Sequence, residues 1–180
     1  MSEDKPQLPY LQKLKGVSIR SEAPHPGWRE SLVTGLGGAL AIGILYALTS
    51  DLKFVTCFMA PFGATCALVF GLPGAPVSQP RNVIGGHMLS ALAGLVVFAI
   101  LGRTTWWTMA LALGSAMAAM AMTRTYHPPA AVTALLPVLQ QITTFTWVLA
   151  PVGVGALLLV AIAMLYNNLF RERHYPAFWW

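Results

Sequence analysis

The most polar stretch within the apolar part of the chain is residues 123–129, which contains a cation, a titratable ring and two threonine hydroxyls. Proline disfavours the helical conformation in the residue before it but fits the first position of a helix. This spacing predicts that His127 lies just outside a helix beginning at Pro128. The unpaired N–H groups and partial positive charge of that helix N-terminus would then face Arg124 and His127. The arrangement predicts a site for a small anion.

Residues 79–87 form a second polar stretch, with a proline turn, Arg81, the helix-capping Asn82, two glycines and His87 about one turn further on. An ionisable group buried in a membrane segment is by default a candidate functional residue. A structural alternative stays open, because Arg81 and Arg124 also fit the charged flanks of membrane segments. His87 also fits a hydrogen bond that joins two helices.

Carboxylates are absent from residues 54–170, and the formal cations there are Arg81, Arg103 and Arg124. Without a carboxylate the segment has no paired acid and base, no third member of a catalytic triad and no carboxylate ligand for a metal. Cys57 and Cys66 lie nine positions apart, which matches no zinc spacing. We therefore expect a protein that is not an enzyme and that has no metal or cofactor.

The composition indicates a membrane protein. Hydrophobic residues make up 56% of the chain and charged residues 9%, whereas soluble domains have about 25% charged residues. The net charge of +5 comes from Lys and Arg at the termini and between apolar runs, not from a basic stripe with interleaved aromatics. The lipid bilayer, rather than nucleic acid, is the expected partner.

The elements that must position the polar residues are six apolar segments. They cover residues 32–50, 54–72, 83–102, 104–123, 128–138 and 145–170. Four of them reach the roughly 20 residues that a spanning helix needs. Residues 54–72 contain Pro61 and Gly63, and residues 128–138 are short and begin with two prolines. The pattern predicts an all-α bundle of four long spanning helices plus two interrupted or half-length helices.

Small residues recur every four positions in three segments, which predicts close helix packing. The rows are Gly35, Ala39, Gly43 and Ala47, then Gly86, Ser90 and Gly94, then Ala110, Gly114 and Ala118. Residues 61–68 also align with residues 128–135 at four of eight positions, although an alanine-rich composition alone would explain this. Such repeats, often inverted, bring discontinuous helices together near the midplane of many transporters.

Charge asymmetry predicts the orientation. Six crossings place both termini and the Arg81 and Arg124 loops in the cytoplasm, with Lys53 and Arg103 on the other side. Re-entrant forms of residues 54–72 and 128–138 would leave four crossings and make the repeat parallel.

The predicted organisation has three parts: a cytoplasmic segment 1–29, a transmembrane domain 30–170 and a basic, aromatic tail 171–180. Residues 8–17 of the first segment form a cationic amphipathic stretch suited to a membrane surface. Aromatic residues of the tail suit the headgroup region. They are Tyr175, Phe178, Trp179 and Trp180.

Three runs resemble the HPP family of integral membrane proteins, which is named for the last tripeptide. They are Ala60-Pro61-Phe62-Gly63-Ala64, residues 79–87, and residues 123–129 with His127-Pro128-Pro129. The resemblance covers residues 29–180 and implies a helical bundle, usually of four helices, with nitrite transport in photosynthetic members. The candidate substrate-binding residues are Pro61, Gly63, Arg81, Asn82, His87, Arg124, Thr125, His127, Pro128 and Pro129.

We therefore expect a homo-oligomeric transporter or channel for a small inorganic anion such as nitrite, in a bacterial inner membrane. A non-transporting scaffold or assembly protein is the alternative. Between residues 54 and 170, His87 and His127 alone have reference pKa values near neutrality. Anion flux is expected to rise as pH falls from about 7.5 to 5.5, with His127 contributing more than His87.

Overall fold

The structure, a computed structural model, describes residues 26–49 and 55–179, and it describes side chains for residues 26–48 and 60–179. This part of the chain is helical and contains no strand. The α-helices are α1 Trp28–Thr49, α2 Val55–Gly71, α3 Pro80–Leu101, α4 Trp106–Met122, α5 Pro128–Ala131, α6 Leu135–Gln140 and α7 Val154–Asn167. The short 3₁₀ turns are Pro76–Ser78 and Val132–Ala134, and Val148–Gly153 is a kinked segment in which Ala150 is extended at φ −138° and ψ 119°. The amphipathic stretch 8–17, Lys53 and Trp180 lie outside the described residues.

Local sequence explains where the long helices begin and end. Pro80 occupies the first turn of α3, where a missing N–H costs nothing. Gly102 ends α3 in the left-handed region at φ 59°, and its N–H donates to the Phe98 carbonyl. The hydroxyl of Thr105 then caps α4 by accepting from the Thr108 N–H at 3.3 Å.

Three described helical stretches are long and apolar enough to cross a membrane: Trp28–Leu48, Pro80–Leu101 and Val148–Asn167. Helix α4 has 17 residues and belongs with the shorter apolar helices, so the prediction of four long spans is not confirmed. Pro128–Gln140 is short, as predicted. Helix α2 continues through Pro61, so the predicted interruption there is wrong. Neighbouring helices and hydroxyl side chains can satisfy the backbone groups that proline releases within a membrane helix.

Helix α3 is the centre of the bundle and packs against α4, α5, α6 and α7. It also packs against the 3₁₀ turn Val132–Ala134 and the kinked segment Val148–Gly153. The approach is closest at Gly94, where an added Cβ would clash with the Ala134 carbonyl oxygen. Ser90, in the same row, is fully buried. This row of small residues therefore packs helices together as predicted.

The other two rows of small residues do not pack helices within the described chain. All four members on α1 and all three on α4 are exposed. Helix α1 instead packs through Gly37, where an added Cβ would lie 2.6 Å from Phe70 Cδ1, and through the buried Ala41 and Leu45. The prediction was wrong because α1 and α4 lie at the edge of the bundle, and periodicity does not say which face is inward.

The C-terminal tail folds back onto the ends of the helices. Arg173 is buried, and its Nη1 donates to the Phe70 carbonyl at 2.9 Å and to Asn167 Oδ1 at 3.0 Å. Its Nη2 donates to Thr34 Oγ1 at 2.8 Å and forms an ion pair with Glu30. We call these five residues the arginine cluster. It joins the start of α1 to the ends of α2 and α7.

Tyr175 is also buried, so the expectation that it lies among lipid headgroups is wrong. Its hydroxyl donates to the Ser78 carbonyl at 2.8 Å because the tail crosses the turn before α3. The side-chain oxygen of Gln79 in that turn accepts from the Ala177 N–H at 2.8 Å. Phe178 and Trp179 are exposed, which fits the predicted headgroup position.

Candidate functional site

Four polar side chains meet at the centre of the bundle. Thr65 comes from α2, His87 from α3, His127 from the start of α5 and Thr133 from the turn that follows. Each is at most 1% exposed. Hydroxyls and imidazoles placed away from water must bind one another, because an unpaired polar group in this setting is costly.

These side chains form one connected set of hydrogen bonds. Thr65 Oγ1 lies 2.8 Å from His87 Nε2, 3.0 Å from His127 Nε2 and 3.0 Å from the Pro61 carbonyl oxygen. His87 Nδ1 lies 2.8 Å from Thr133 Oγ1. His127 Nδ1 lies 2.6 Å from the carbonyl oxygen of Val77. We call Thr65, His87, His127 and Thr133 the histidine network.

Backbone geometry brings the two imidazoles together. His127 precedes α5 in an extended conformation at φ −132° and ψ 102°, which confirms the position predicted from the prolines after it. Gly86 permits the approach, since an added Cβ would lie 2.9 Å from His127 Cβ and 3.0 Å from the Thr125 carbonyl oxygen. The His87 and His127 ring centroids are 5.3 Å apart, and the Phe62 ring packs against His87 at 4.7 Å.

The carbonyl of Val77 fixes the direction of hydrogen bonding. A carbonyl only accepts, so Nδ1 of His127 carries the hydrogen, and Nε2 of the neutral ring is an acceptor. The hydroxyl of Thr65 then donates to His127, and Nε2–H of His87 donates to Thr65. This leaves His87 Nδ1 to accept from the Thr133 hydroxyl. One tautomer of each neutral histidine thus satisfies every ring nitrogen.

A second polar region lies where the loop between α4 and α5 meets the first turn of α3. Arg81 Nη2 donates to the Thr123 carbonyl and Asn82 Nδ2 to the Tyr126 carbonyl, both at 2.9 Å. These bonds hold the loop that leads into His127. An adjacent cavity of about 430 Å³ is lined by Pro80, Arg81, Ile84, Gly85, Thr125 and Trp179.

The structure separates the predicted site residues into groups. His87 and His127 meet in the histidine network, Pro61 joins it through its carbonyl, and Pro128 and Pro129 follow His127. Arg81 and Thr125 line the cavity, and Asn82 holds the loop.

Two other predicted residues lie elsewhere. Arg124 is exposed at a positive φ of 56°. Gly63 lines a groove between α1 and α2 with Gly35, Gly38 and Cys66. Neither belongs to the hydrogen-bonded set at the bundle centre.

Thr65 and Thr133 were not predicted as site residues, although both fall in the two segments that align with each other. They bind opposite nitrogens of His87. The alignment pairs Thr65 with Val132 and Thr133 with Cys66, so their roles are similar although their aligned positions differ by one. A useful signal was present, since each is a hydroxyl within an apolar segment that begins with proline.

An apolar helical bundle with a buried set of ionisable and hydroxyl side chains defines an integral membrane protein. The chain belongs to the HPP family, whose transmembrane region it matches over residues 23–176. A transmembrane protein of Dictyostelium discoideum is 33% identical to it over 96% of this chain and 58% of that protein. A second transmembrane protein of the same organism is 32% identical over 96% of this chain and 64% of that protein.

The chain therefore spans about three fifths of the length of these curated relatives. No solved structure matches it.

Proposed function

We propose that this protein carries a small monovalent inorganic anion across the membrane, with nitrite as the leading substrate. The observation that carries the proposal is the histidine network at the centre of the bundle. It joins residues from α2, α3 and the half-length segment that begins at Pro128. Membrane transporters commonly bind their substrates where short or discontinuous helices meet near the midplane.

Charge also favours an anion. Residues 54–170 contain three arginines and two histidines but no carboxylate. Arg81 lines the cavity, next to Thr125, and Thr125 packs against Gly85. An anion entering this cavity meets the positive charge of Arg81, which no carboxylate within residues 54–170 offsets.

The closed geometry favours a carrier over an open channel. Every side chain of the histidine network is buried, so an anion reaches it only after helices move apart. Gly85 and Gly86 lie where α3 meets the loop before His127, and a small separation there would join the cavity to the network. The resemblance to the HPP family, which implies nitrite transport in photosynthetic members, favours nitrite as the anion.

A flux measurement with purified protein in liposomes tests the proposal. Nitrite uptake above that of protein-free liposomes is expected, with competition from other small monovalent anions and none from sulfate. Arg81→Gln should lower uptake about ten-fold, because the positive charge that attracts the anion into the cavity is lost. Arg103→Gln is the matched control, since this arginine is exposed in the turn after α3, and it should transport normally.

A folded protein without uptake of any small anion would reject transport and favour the non-transporting scaffold. An equal loss of uptake in Arg81→Gln and Arg103→Gln would show that the anion does not pass through the cavity at Arg81.

The proposed orientation has the Arg81 end of α3 in the cytoplasm. Single cysteines at Gly74 and Thr104, both exposed near opposite ends of α3, test it in a protein without Cys57 and Cys66. An impermeant thiol reagent added outside intact cells should label the Thr104→Cys protein and leave the Gly74→Cys protein unlabelled. The reverse pattern would invert the orientation.

A further inference from the structure

The histidine network has one more contact than its neutral form has hydrogens. Its five contacts join Thr133 to His87, His87 to Thr65, Thr65 to His127, Thr65 to the Pro61 carbonyl and His127 to the Val77 carbonyl. Each needs one hydrogen. The neutral form supplies four, one from each of its four side chains.

The shortage falls at Thr65. Its single hydroxyl hydrogen faces two acceptors, the Pro61 carbonyl and Nε2 of His127, at equal distances of 3.0 Å. A proton added at His127 Nε2 removes the conflict. His127 and His87 then both donate to the lone pairs of Thr65, and Thr65 donates to Pro61. All five contacts are satisfied without moving a heavy atom.

We infer that the histidine network is a binding site for one proton, and that this proton crosses the membrane together with the anion. The inference rests on the proposed function and adds the co-substrate. The proton comes from water on one side, resides on His127 Nε2, and is released to water on the other side. On binding, an O–H bond of a hydronium ion breaks as the N–H bond forms, and on release the N–H bond breaks as an O–H bond forms.

The surroundings explain why the proton needs the anion. Arg81 lies on α3, and Arg124 lies in the loop before α5. The other ionisable side chains described on the helices and the loop packed around the network are Cys66 on α2, Tyr126 in that loop and Tyr166 on α7. None of them is a carboxylate, so an imidazolium here has no built-in counter-charge. An anion in the network provides it.

Coupling of this kind is reciprocal. If the anion raises the affinity for the proton, the proton raises the affinity for the anion by the same factor. Burial disfavours binding of a proton without the anion, which limits proton leakage. An anion that binds without the proton meets a network with only four hydrogens for its five contacts. The pair is electrically neutral and crosses without moving net charge.

Liposomes with separately imposed pH and potassium-diffusion gradients test the inference. Nitrite uptake by the wild-type protein should follow the pH gradient, ignore the membrane potential and move about one proton per anion. An internal pH dye reports the protons, and protein-free liposomes are subtracted at each pH because nitrous acid crosses bare lipid. Uptake that follows the potential, without proton movement, would overturn the inference and leave the proposed function intact.

An absence of uptake by folded protein would instead reject the proposed function and the coupling with it. Failure of anion transport and failure of proton coupling therefore give different results.

Variants at Thr65 locate the proton. Thr65→Ser keeps the hydroxyl and should retain coupling, whereas Thr65→Val removes it and should lower proton-coupled uptake about ten-fold. His127→Gln keeps an amide but cannot bind the proton, so any remaining uptake should become sensitive to the potential. Full electroneutral coupling in a folded His127→Gln or Thr65→Val protein would show that the proton binds elsewhere.

Discussion

The arginine cluster and the histidine network are both buried and polar, but they treat charge differently. In the cluster, the Arg173 side chain is 3% exposed and its charge is matched by the carboxylate of Glu30. In the network, two titratable rings bind hydroxyls and carbonyls, and no carboxylate lies within residues 54–170. The buried cation of Arg173 already has a carboxylate partner. A protonated histidine in the network has none, so it is stabilised by a ligand that brings a negative charge.

Position reinforces the difference. The arginine cluster ties together the ends of α1, α2 and α7 through Glu30, Phe70 and Asn167. The histidine network lies inside the bundle, between elements that are partly short or begin with proline. We interpret the cluster as a fixed support and the network as the part that changes during function. Variants should therefore separate stability from transport.

The largest expected effect is a loss of stability when the arginine cluster is disrupted. Arg173→Met removes the cation but leaves Glu30, the Phe70 carbonyl and Asn167 without their donor. Loss of one partner of a buried pair costs about 3–5 kcal/mol, and since Glu30 is 45% exposed and can be rehydrated, about 3 kcal/mol is expected. The thermal unfolding midpoint in detergent measures it. Arg171→Met, in the exposed part of the tail, is the control and should unfold like the wild type.

Equal midpoints for the Arg173→Met and wild-type proteins would contradict the supporting role.

The next largest effect is expected from a variant that displaces the histidine network without changing any charge. Gly86→Ala places a methyl group 2.9 Å from His127 Cβ and 3.0 Å from the Thr125 carbonyl oxygen. Overpacking of this kind costs about 1–3 kcal/mol, partly offset by the better helix propensity of alanine. Flux should fall more than stability, because His127 moves away from Thr65.

Gly114→Ala is the matched control for this variant. Its added Cβ has no neighbour within 4 Å, and glycine-to-alanine replacement in a helix gains up to about 1 kcal/mol. Wild-type flux in Gly86→Ala would mean that the distance between α3 and His127 is not important for transport.

A smaller effect on flux is expected at Thr133, which contacts only one of the two histidines. Thr133→Val leaves His87 Nδ1 without its partner, at a cost of about 1–2 kcal/mol. Flux should fall less than in Thr65→Val, because Thr133 contacts one histidine and Thr65 contacts both. Thr133→Ser should restore flux. A stronger loss in Thr133→Val than in Thr65→Val would reverse the order of importance.

The sequence alone predicted the helical class, the six apolar segments and the position of His127, since these depend on composition and proline chemistry. It did not predict that Thr65 and Thr133 would bind His87, because that contact depends on how α2 and the half-length segment rotate about their axes. Arg173 was placed only in a basic tail. Its burial depends on Glu30, which lies 143 positions earlier in the chain. Contacts of such separation leave no local pattern.

The smallest expected effect concerns Tyr175, which belongs to the fixed part of the molecule through the tail. Its hydroxyl donates to the Ser78 carbonyl at 2.8 Å, and Tyr175→Phe removes that bond at a cost of about 1 kcal/mol. Burial raises the pKa of Tyr175 above the ordinary value, because the phenolate is poorly solvated there. The folded protein thus holds the proton more tightly than the unfolded chain. This contribution to stability is complete below the unfolded-state pKa of about 10 and declines as pH rises above it.

Thermal unfolding between pH 7 and pH 11 therefore distinguishes two variants. The wild-type midpoint should fall on the alkaline side, and Tyr175→Phe should begin about 1 kcal/mol lower but lose less as pH rises. Tyr46→Phe, at a half-exposed position on α1, should keep the full alkaline loss. Anion flux at neutral pH should be nearly unchanged in Tyr175→Phe, because its hydroxyl bonds the Ser78 carbonyl, whereas His127 bonds the carbonyl of the neighbouring Val77. A large loss of flux in Tyr175→Phe at unchanged stability would show that the tail takes part in the conformational change and is not a fixed support.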